Sequence, residues 1–178
     1  MTTALFRPEK APGRPPPSVP GSPARLGPRL RALLEVCPPR GPVADIGSGH
    51  GRLALELKLQ DPLRQVFATE INPGPQAELH RLLGPESGVQ ILDGEGLRPL
   101  STLGCRGVVI AGMGGGTIAQ MLERDRDVAL QLEWLLLQPA QRTERLCSWL
   151  NSAGWSLREV HQVREKAHLY RMFLVTPR

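Results

Sequence analysis

Val43-Ala44-Asp45-Ile46-Gly47-Ser48-Gly49-His50-Gly51-Arg52-Leu53 decides the fold of this 178-residue chain. Val43 to Ile46 read as a short, mostly apolar strand. It runs into glycines at alternate positions, Gly47, Gly49 and Gly51, and then into a leucine-rich helix carrying Leu53, Leu55, Leu57 and Leu59. Glycine lets the backbone turn tightly and lets another group approach the main chain closely. The first turn of a helix leaves its N–H groups without intrahelical partners. A strand, a glycine loop and a helix in this order form a cradle of the nucleotide-binding kind.

Two templates fit that cradle. Gly49-x-Gly51-x-x-Ala54 matches the dinucleotide fingerprint with Ala in the last place. Asp45-x-Gly47-x-Gly49-x-Gly51 matches the first motif of class I S-adenosylmethionine methyltransferases. Charge separates them. A dinucleotide sets an anionic pyrophosphate on such a loop, and Asp45 at the strand's end repels it. S-adenosylmethionine carries a sulfonium and an ammonium, and a carboxylate suits both. The expected cofactor is therefore S-adenosylmethionine, with a dinucleotide-dependent oxidoreductase as the competing class.

The rest of the chain alternates strand and helix outward from this centre. Leu26, Leu30, Leu33 and Leu34 share a helical face ahead of the cradle, and Pro38-Pro39 stops that helix. Arg29 lies on it, facing either the cofactor or solvent. Residues 65–70 form a second strand ending in Glu70, 25 positions after Asp45. An acid there can accept both hydroxyls of a ribose, and Ile71 beside it can lie on an adenine ring. A helix around Leu79, Leu82 and Leu83 leads to a third strand at residues 89–92. The polar turn Asp93-Gly94-Glu95-Gly96-Leu97 follows, and Glu95, rather than Asp93, is expected to accept from the adenine amino group.

A fourth strand, residues 107–111, is continuously apolar, as parallel strands buried on both faces are. It opens into Gly112-Met113-Gly114-Gly115-Gly116 and a helix from Thr117. A second glycine loop implies that something passes close to its backbone. In an open α/β sheet it faces the first loop across the crevice at the strands' carboxyl ends. Residues 134–137 make the fifth strand, and a helix spans about Arg142 to Ser152. Residues 155–163 and 169–175 are the last two strands. The link between them is too short for a parallel crossover, so the pair is an antiparallel hairpin. The predicted fold is α/β: a Rossmann-like, mostly parallel seven-stranded sheet with an antiparallel C-terminal hairpin.

Composition bounds the remaining possibilities. No apolar run reaches the length of a membrane span, and no N-terminal apolar segment reads as a secretory signal. Cys37, Cys105 and Cys147 form no Cys-x-x-Cys pair. No metal site is expected, and each cysteine reads as a small buried apolar residue. A cytoplasmic location and a monomeric state are expected. Residues 1–25, rich in proline, read as a disordered basic tail, and residues 26–178 as the catalytic domain. Residues 1–28 hold four Arg or Lys against one Glu, and residues 141–178 hold seven against three. Basic ends around a mildly acidic centre suit a polyanionic substrate.

Leu26-x-x-Arg29-Leu30, Ala44-Asp45-Ile46-Gly47-Ser48-x-His50, the Glu70 strand tip, Gly94-Glu95-Gly96-Leu97, Leu137-Gln138-Pro139 and the final Tyr170 strand recur together in one family. Its most specific run is Ile110-Ala111-Gly112-Met113-Gly114-Gly115. By these motifs residues 26–178 resemble the bacterial tRNA (adenine-N1)-methyltransferases that modify the D arm. The resemblance implies S-adenosylmethionine as cofactor and tRNA as partner. It implies that Asp45, Gly47, His50, Glu70, Glu95, Gly112 and Met113 line the pocket for cofactor and target base. With the residue reading above, Arg29, Gly49, Gly51, Ile71 and Gly94 join the cofactor set, and His50 and Met113 are the catalytic candidates. His50 either orients the base or shuttles a proton, or it caps the helix after the loop. Adenine N1 is already nucleophilic, so neither a general base nor a cysteine is required. Reaching N1 in a paired region requires flipping the base out.

The sequence departs from the family in three places. Gly49 stands where an aspartate is usual, and Glu95 stands where Asp is usual. No helical extension follows the last strand, which leaves the RNA grip to Arg7, Arg14, Arg25, Arg142, Arg145 and Arg164. Without that grip the same fold could serve as a degenerate RNA-binding or partner module.

Overall fold

The computed structural model describes residues 26–177; the expected tail at 1–25, with Arg7, Arg14 and Arg25, lies outside them. Seven strands form one sheet. In chain order they are β1 (Val43–Ile46), β2 (Val66–Thr69), β3 (Val89–Leu92), β4 (Gly107–Ala111), β5 (Trp134–Gln138), β6 (Ser156–Glu165) and β7 (His168–Thr176). Their spatial order is β3-β2-β1-β4-β5-β7-β6. The first five are parallel, and β7 pairs antiparallel with both β5 and β6. The predicted mostly parallel sheet and closing hairpin are both present. Among the described residues the α-helices are α1 (Pro28–Val36), α2 (Arg52–Gln60), α3 (Pro73–Leu82), α4 (Gly115–Arg124), α5 (Arg126–Ala129) and α6 (Thr143–Ser152).

The strands sort their side chains by alternation. Ala44, Ile46, Val108, Ile110, Leu135 and Leu137 point to one face, against Ile118, Leu122, Leu146 and Leu150 of α4 and α6. Val43, Val109, Trp134 and Leu136 point to the other, against Leu33, Leu57 and Leu79 of α1, α2 and α3. Both faces are covered, as a parallel sheet requires. Asp45 shares its face with Val43 and so points toward α1 and α2. Gly107 is glycine because Trp134 of the neighbouring strand occupies the place of its missing side chain.

Strand order reverses between β1 and β4, which are direct neighbours. Crossovers leave them in opposite directions, so the loops at their carboxyl ends splay apart and open a crevice. Both glycine loops border it. The helix after the second glycine loop, α4, starts at Gly115 rather than the expected Thr117. The one-turn helix α5 has too few residues to show a period. Only Cys37 is buried; Cys105 is half-buried and Cys147 exposed, so the expectation of three buried cysteines fails for two of them.

Candidate active site

The first glycine loop is built from the inside. The Gly47 amide donates to Thr69 Oγ1 at 3.3 Å and the Ser48 amide to the Thr69 carbonyl at 2.7 Å. The Gly49 amide donates to Glu70 Oε2 at 3.0 Å, and the Gly51 amide to the Ser48 carbonyl at 2.9 Å. A phosphate-binding loop keeps its N–H groups free for the anion; here these four are already bonded. Gly47, Gly49 and Gly51 all adopt positive φ.

Asp45 is 3 % exposed, and its Oδ2 has no hydrogen-bond partner among the described residues. Burial pushes its pKa from 3.8 up to about 6, tempered by the Ser48 hydroxyl, the Ala54 amide and the charge of Arg29. A buried carboxylate oxygen without a donor costs free energy that a cationic donor would recover. The site is therefore prepared for positive charge, opposite to the requirement of a pyrophosphate.

The crevice has two lobes. The first, about 210 Å³, is lined by Arg29, Asp45, Gly47, Gly49, His50 and Ala111. The second, about 310 Å³, is lined by Gly47, Glu70, Ile71, Glu95, Gly112 and Met113. They meet at Gly47 and Ala111, where the Met113 methyl lies in the space a Gly47 side chain would need. The structure thus brings together ten of the twelve residues expected at the site. Gly51 and Gly94 do not line either lobe. Gly51 precedes α2, and an added Cβ would meet Leu79 and Leu83, so its spacing role is packing. Gly94 faces an outer depression with Asp93, Arg98 and Arg124.

Glu70 carries the second strand tip. Its Oε1 accepts from the Ile71 amide at 2.9 Å, and from the Asn72 amide and Asn72 Nδ2 at 2.8 Å each. One buried carboxylate therefore ties both sides of the lobe together. Ile71 is 55 % exposed despite its apolar side chain, which leaves a flat surface open over the second lobe. Glu95 lines this lobe, but Arg124 Nη1 holds its carboxylate at 2.6 Å. Arg124 in turn binds Asp125, which also accepts from the Leu97 amide at 2.9 Å and Arg98 Nε at 3.2 Å. Burial raises the Asp125 pKa, but these donors outweigh it and hold the carboxyl below its usual range.

His50 stands at the mouth of the first lobe with Nδ1 2.5 Å from Glu78. It does not cap α2, whose N-terminus has no side-chain cap. Arg29 donates to Gln138 Oε1 at 2.7 Å and lies 5.7 Å above the Tyr170 ring. His168, two residues before Tyr170 on β7, stacks on its ring at 6.0 Å. Gln138, fully buried at the end of an apolar strand, was visible as a polar residue where an aliphatic one is expected. Thr117 and Asn72 also line the second lobe, and no local pattern marks them.

The second glycine loop divides in two. Gly112, with φ +82°, borders open space near Arg29. Gly115 is different: a side chain there would strike the Arg142 carbonyl. The Gly115 amide donates to the Gln141 carbonyl at 2.8 Å, and the Ala140 amide to that of Met113 at 2.8 Å. The close approach at Gly115 is therefore made by the neighbouring loop of the same chain.

Gly49 tests the loop directly. It has φ +57°, and nothing lies within 4 Å of an added Cβ. Gly49→Asp is expected to fold with a stability loss of about 1 kcal/mol from the left-handed backbone, measured by thermal melting. Ligand affinity is expected to stay within about threefold, because a short polar residue tolerates this conformation. Loss of binding with the fold intact would show that Gly49 itself contacts the ligand.

Among the described residues no group of three or more His, Cys, Asp or Glu is placed to hold a metal, and no helix is long and apolar enough to cross a membrane. A methyltransferase-domain family model matches residues 26–173. The tRNA (adenine(22)-N(1))-methyltransferase of Bacillus subtilis (strain 168) is 29% identical over 153 residues, covering 84% of this chain and 64% of that protein. The chain thus spans less than two thirds of that curated relative. Among solved structures, the Bacillus subtilis tRNA methyltransferase TrmK superposes with a TM-score of 0.77 at 29% identity, covering 86% of this chain and 67% of that one. A Streptococcus pneumoniae relative solved in complex with S-adenosyl-L-methionine gives 0.79 at 26%, covering 84% and 72%. The sheet order, the inward-bonded glycine loop and the match over residues 26–173 lead to one conclusion: this chain belongs to the methyltransferase-domain family.

Proposed function

We propose that this chain is an S-adenosylmethionine-dependent methyltransferase acting on N1 of an adenine in tRNA. The observation that carries the cofactor is the buried Asp45 Oδ2, which lacks a donor at the floor of the first lobe. It fits the ammonium and sulfonium end of S-adenosylmethionine. The second lobe fits the adenosine end, with the Glu70 carboxylate for the ribose hydroxyls, Ile71 for the ring face and Glu95 for the adenine amino group. The tRNA substrate is supported by the names of the relatives.

S-adenosylmethionine, when bound, supplies an electrophilic methyl group. The chain's own residues then have mainly to place the target base, because the N1 lone pair needs no prior deprotonation. Placement of this kind can contribute several kcal/mol. Met113, wedged at the junction of the lobes, excludes water and aligns the two ligands. Arg29 over Tyr170 gives a flat, cationic wall beside the first lobe. His50, held by Glu78, orients the incoming base from the mouth.

The test uses the full chain. Calorimetry is expected to show the demethylated cofactor binding with a micromolar-range Kd, about −8 kcal/mol, and no signal with NAD. Incubation with unmodified tRNA and labelled cofactor is expected to yield N1-methyladenosine on digestion. NAD binding without cofactor binding would overturn the reading in favour of an oxidoreductase. Cofactor binding with no transfer would identify a degenerate module.

A further inference from the structure

Beside the cofactor crevice lies a cleft of about 140 Å³ lined by Gly114, Gly116, Thr117, Gln120, Gln141, Arg142 and Arg145. No carboxylate lines it. Arg98, Arg106, Arg124 and Arg126 each pair with a carboxylate. Arg142 and Arg145 have no such partner among the described residues. Two arginines without a carboxylate partner among the described residues line the cleft beside the side-chain amides of Gln120 and Gln141 and the Thr117 hydroxyl, a donor set suited to a tetrahedral oxyanion. The Gly116 and Thr117 amides, in the first turn of α4, add to it.

The fold makes this convergence. Gln141 pairs with Gly114 as an isolated parallel bridge, which draws the β5–α6 loop against the β4–α4 loop. Gly116 and Gly114 leave room there: an added Cβ at Gly116 would meet Arg145 Cδ at 3.8 Å, and one at Gly114 would meet Gln141 Nε2 at 3.9 Å. Thr117 lines both this cleft and the second lobe. Whatever anion sits in the cleft is one residue away from the cofactor crevice.

We infer that Arg142 and Arg145 hold a backbone phosphate of the RNA substrate, next to the nucleotide whose base enters the crevice. This rests on the tRNA reading above and adds the group that grips the substrate. Phosphate contacts position a nucleic acid without reading its sequence. A contact here would fix the sugar–phosphate on one side while the base turns inward.

The experiment compares the full wild-type chain with Arg142→Asn, Arg145→Gln, the double variant and Arg145→Lys. Asn suits the left-handed backbone at residue 142, where φ is 55°, and thermal melting with cofactor calorimetry confirms that each variant is folded. The readouts are affinity for labelled, unmodified tRNA across a salt series, and KM against kcat for methyl transfer. The double variant is expected to bind tRNA about tenfold more weakly, with the log–log salt slope flattened by about 1, one phosphate's worth. KM for tRNA rises in step while kcat and cofactor affinity stay within about threefold, and Arg145→Lys keeps the slope. An unchanged slope and affinity in the double variant overturns the inference. If wild type binds tRNA but transfers no methyl group, the proposed activity fails, and the slope comparison still decides the cleft. If wild type binds no tRNA, both fall together.

Discussion

Asp45→Asn is expected to make the ligand-free protein more stable above pH 6 and to weaken S-adenosylmethionine binding about 100-fold. Both effects come from one atom, the buried Oδ2 without a donor. Burial raises the carboxyl pKa from 3.8 to about 6 in the folded chain. The folded state therefore holds a proton that the unfolded state has released between those values, so stability falls as pH rises through that window. Well below pH 4 the carboxyl is neutral in both states and the group costs nothing. Above about pH 6 the whole penalty is present, about 3 kcal/mol from the size of the shift. The stability difference between the variant and wild type should therefore grow from near zero at pH 4 toward that value at pH 8. Denaturant melts across the pH range check it, and a pH-independent difference would show that Asp45 is already compensated. Affinity has the opposite slope. Only the ionised carboxylate attracts a sulfonium and an ammonium, so wild-type cofactor affinity should rise through pH 6 and that of the variant should not. The 100-fold loss is the worth of a charge-assisted hydrogen bond, about 2–3 kcal/mol.

Glu70→Gln is the second large expectation, and it separates scaffold from ligand. Glu70 accepts from Gly49 on one oxygen and from Ile71 and Asn72 on the other. A glutamine can satisfy only one side, because its amide nitrogen must face an N–H on the other. Melting is expected to show a loss of about 1–3 kcal/mol for the group left facing a donor. Cofactor affinity is expected to fall about 10- to 100-fold beyond that, because the ribose acceptor and the anchor of the glycine loop are the same carboxylate. A drop in stability with cofactor affinity unchanged in the folded fraction would reduce Glu70 to a scaffold role.

The two carboxylates were legible before any coordinates because each ends a strand in a local pattern. Val43-Ala44-Asp45-Ile46 and residues 65–70 are short apolar runs closed by polar turns, and their acids fall at the two sides of the crevice once the strands are parallel. The C-terminal hairpin was equally plain, since a short link permits only antiparallel pairing. Gly51 and Gly115 were not legible in the same way. Both look like ligand-facing glycines in the chain. In the fold, Gly51 makes room for Leu79 and Leu83, and Gly115 for the Arg142 carbonyl.

By itself, then, the sequence determined the strand–loop–helix cradle, the mostly parallel sheet and the acids at its strand tips, because these follow from periods of two or about four residues along the chain. The tertiary structure alone decided how the site is charged. Thr69 and Glu70 consume the loop amides from more than twenty residues away, which denies an anion its donors, while Asp45 Oδ2 lacks a donor beside the lobe. Arg124 reaches Glu95 across 29 positions. Gln141 draws Arg142 and Arg145 beside Thr117 by pairing with Gly114. Hydrogen bonds and charges act through a few ångströms of space, and which groups come within that range is set by how the strands are ordered in the sheet.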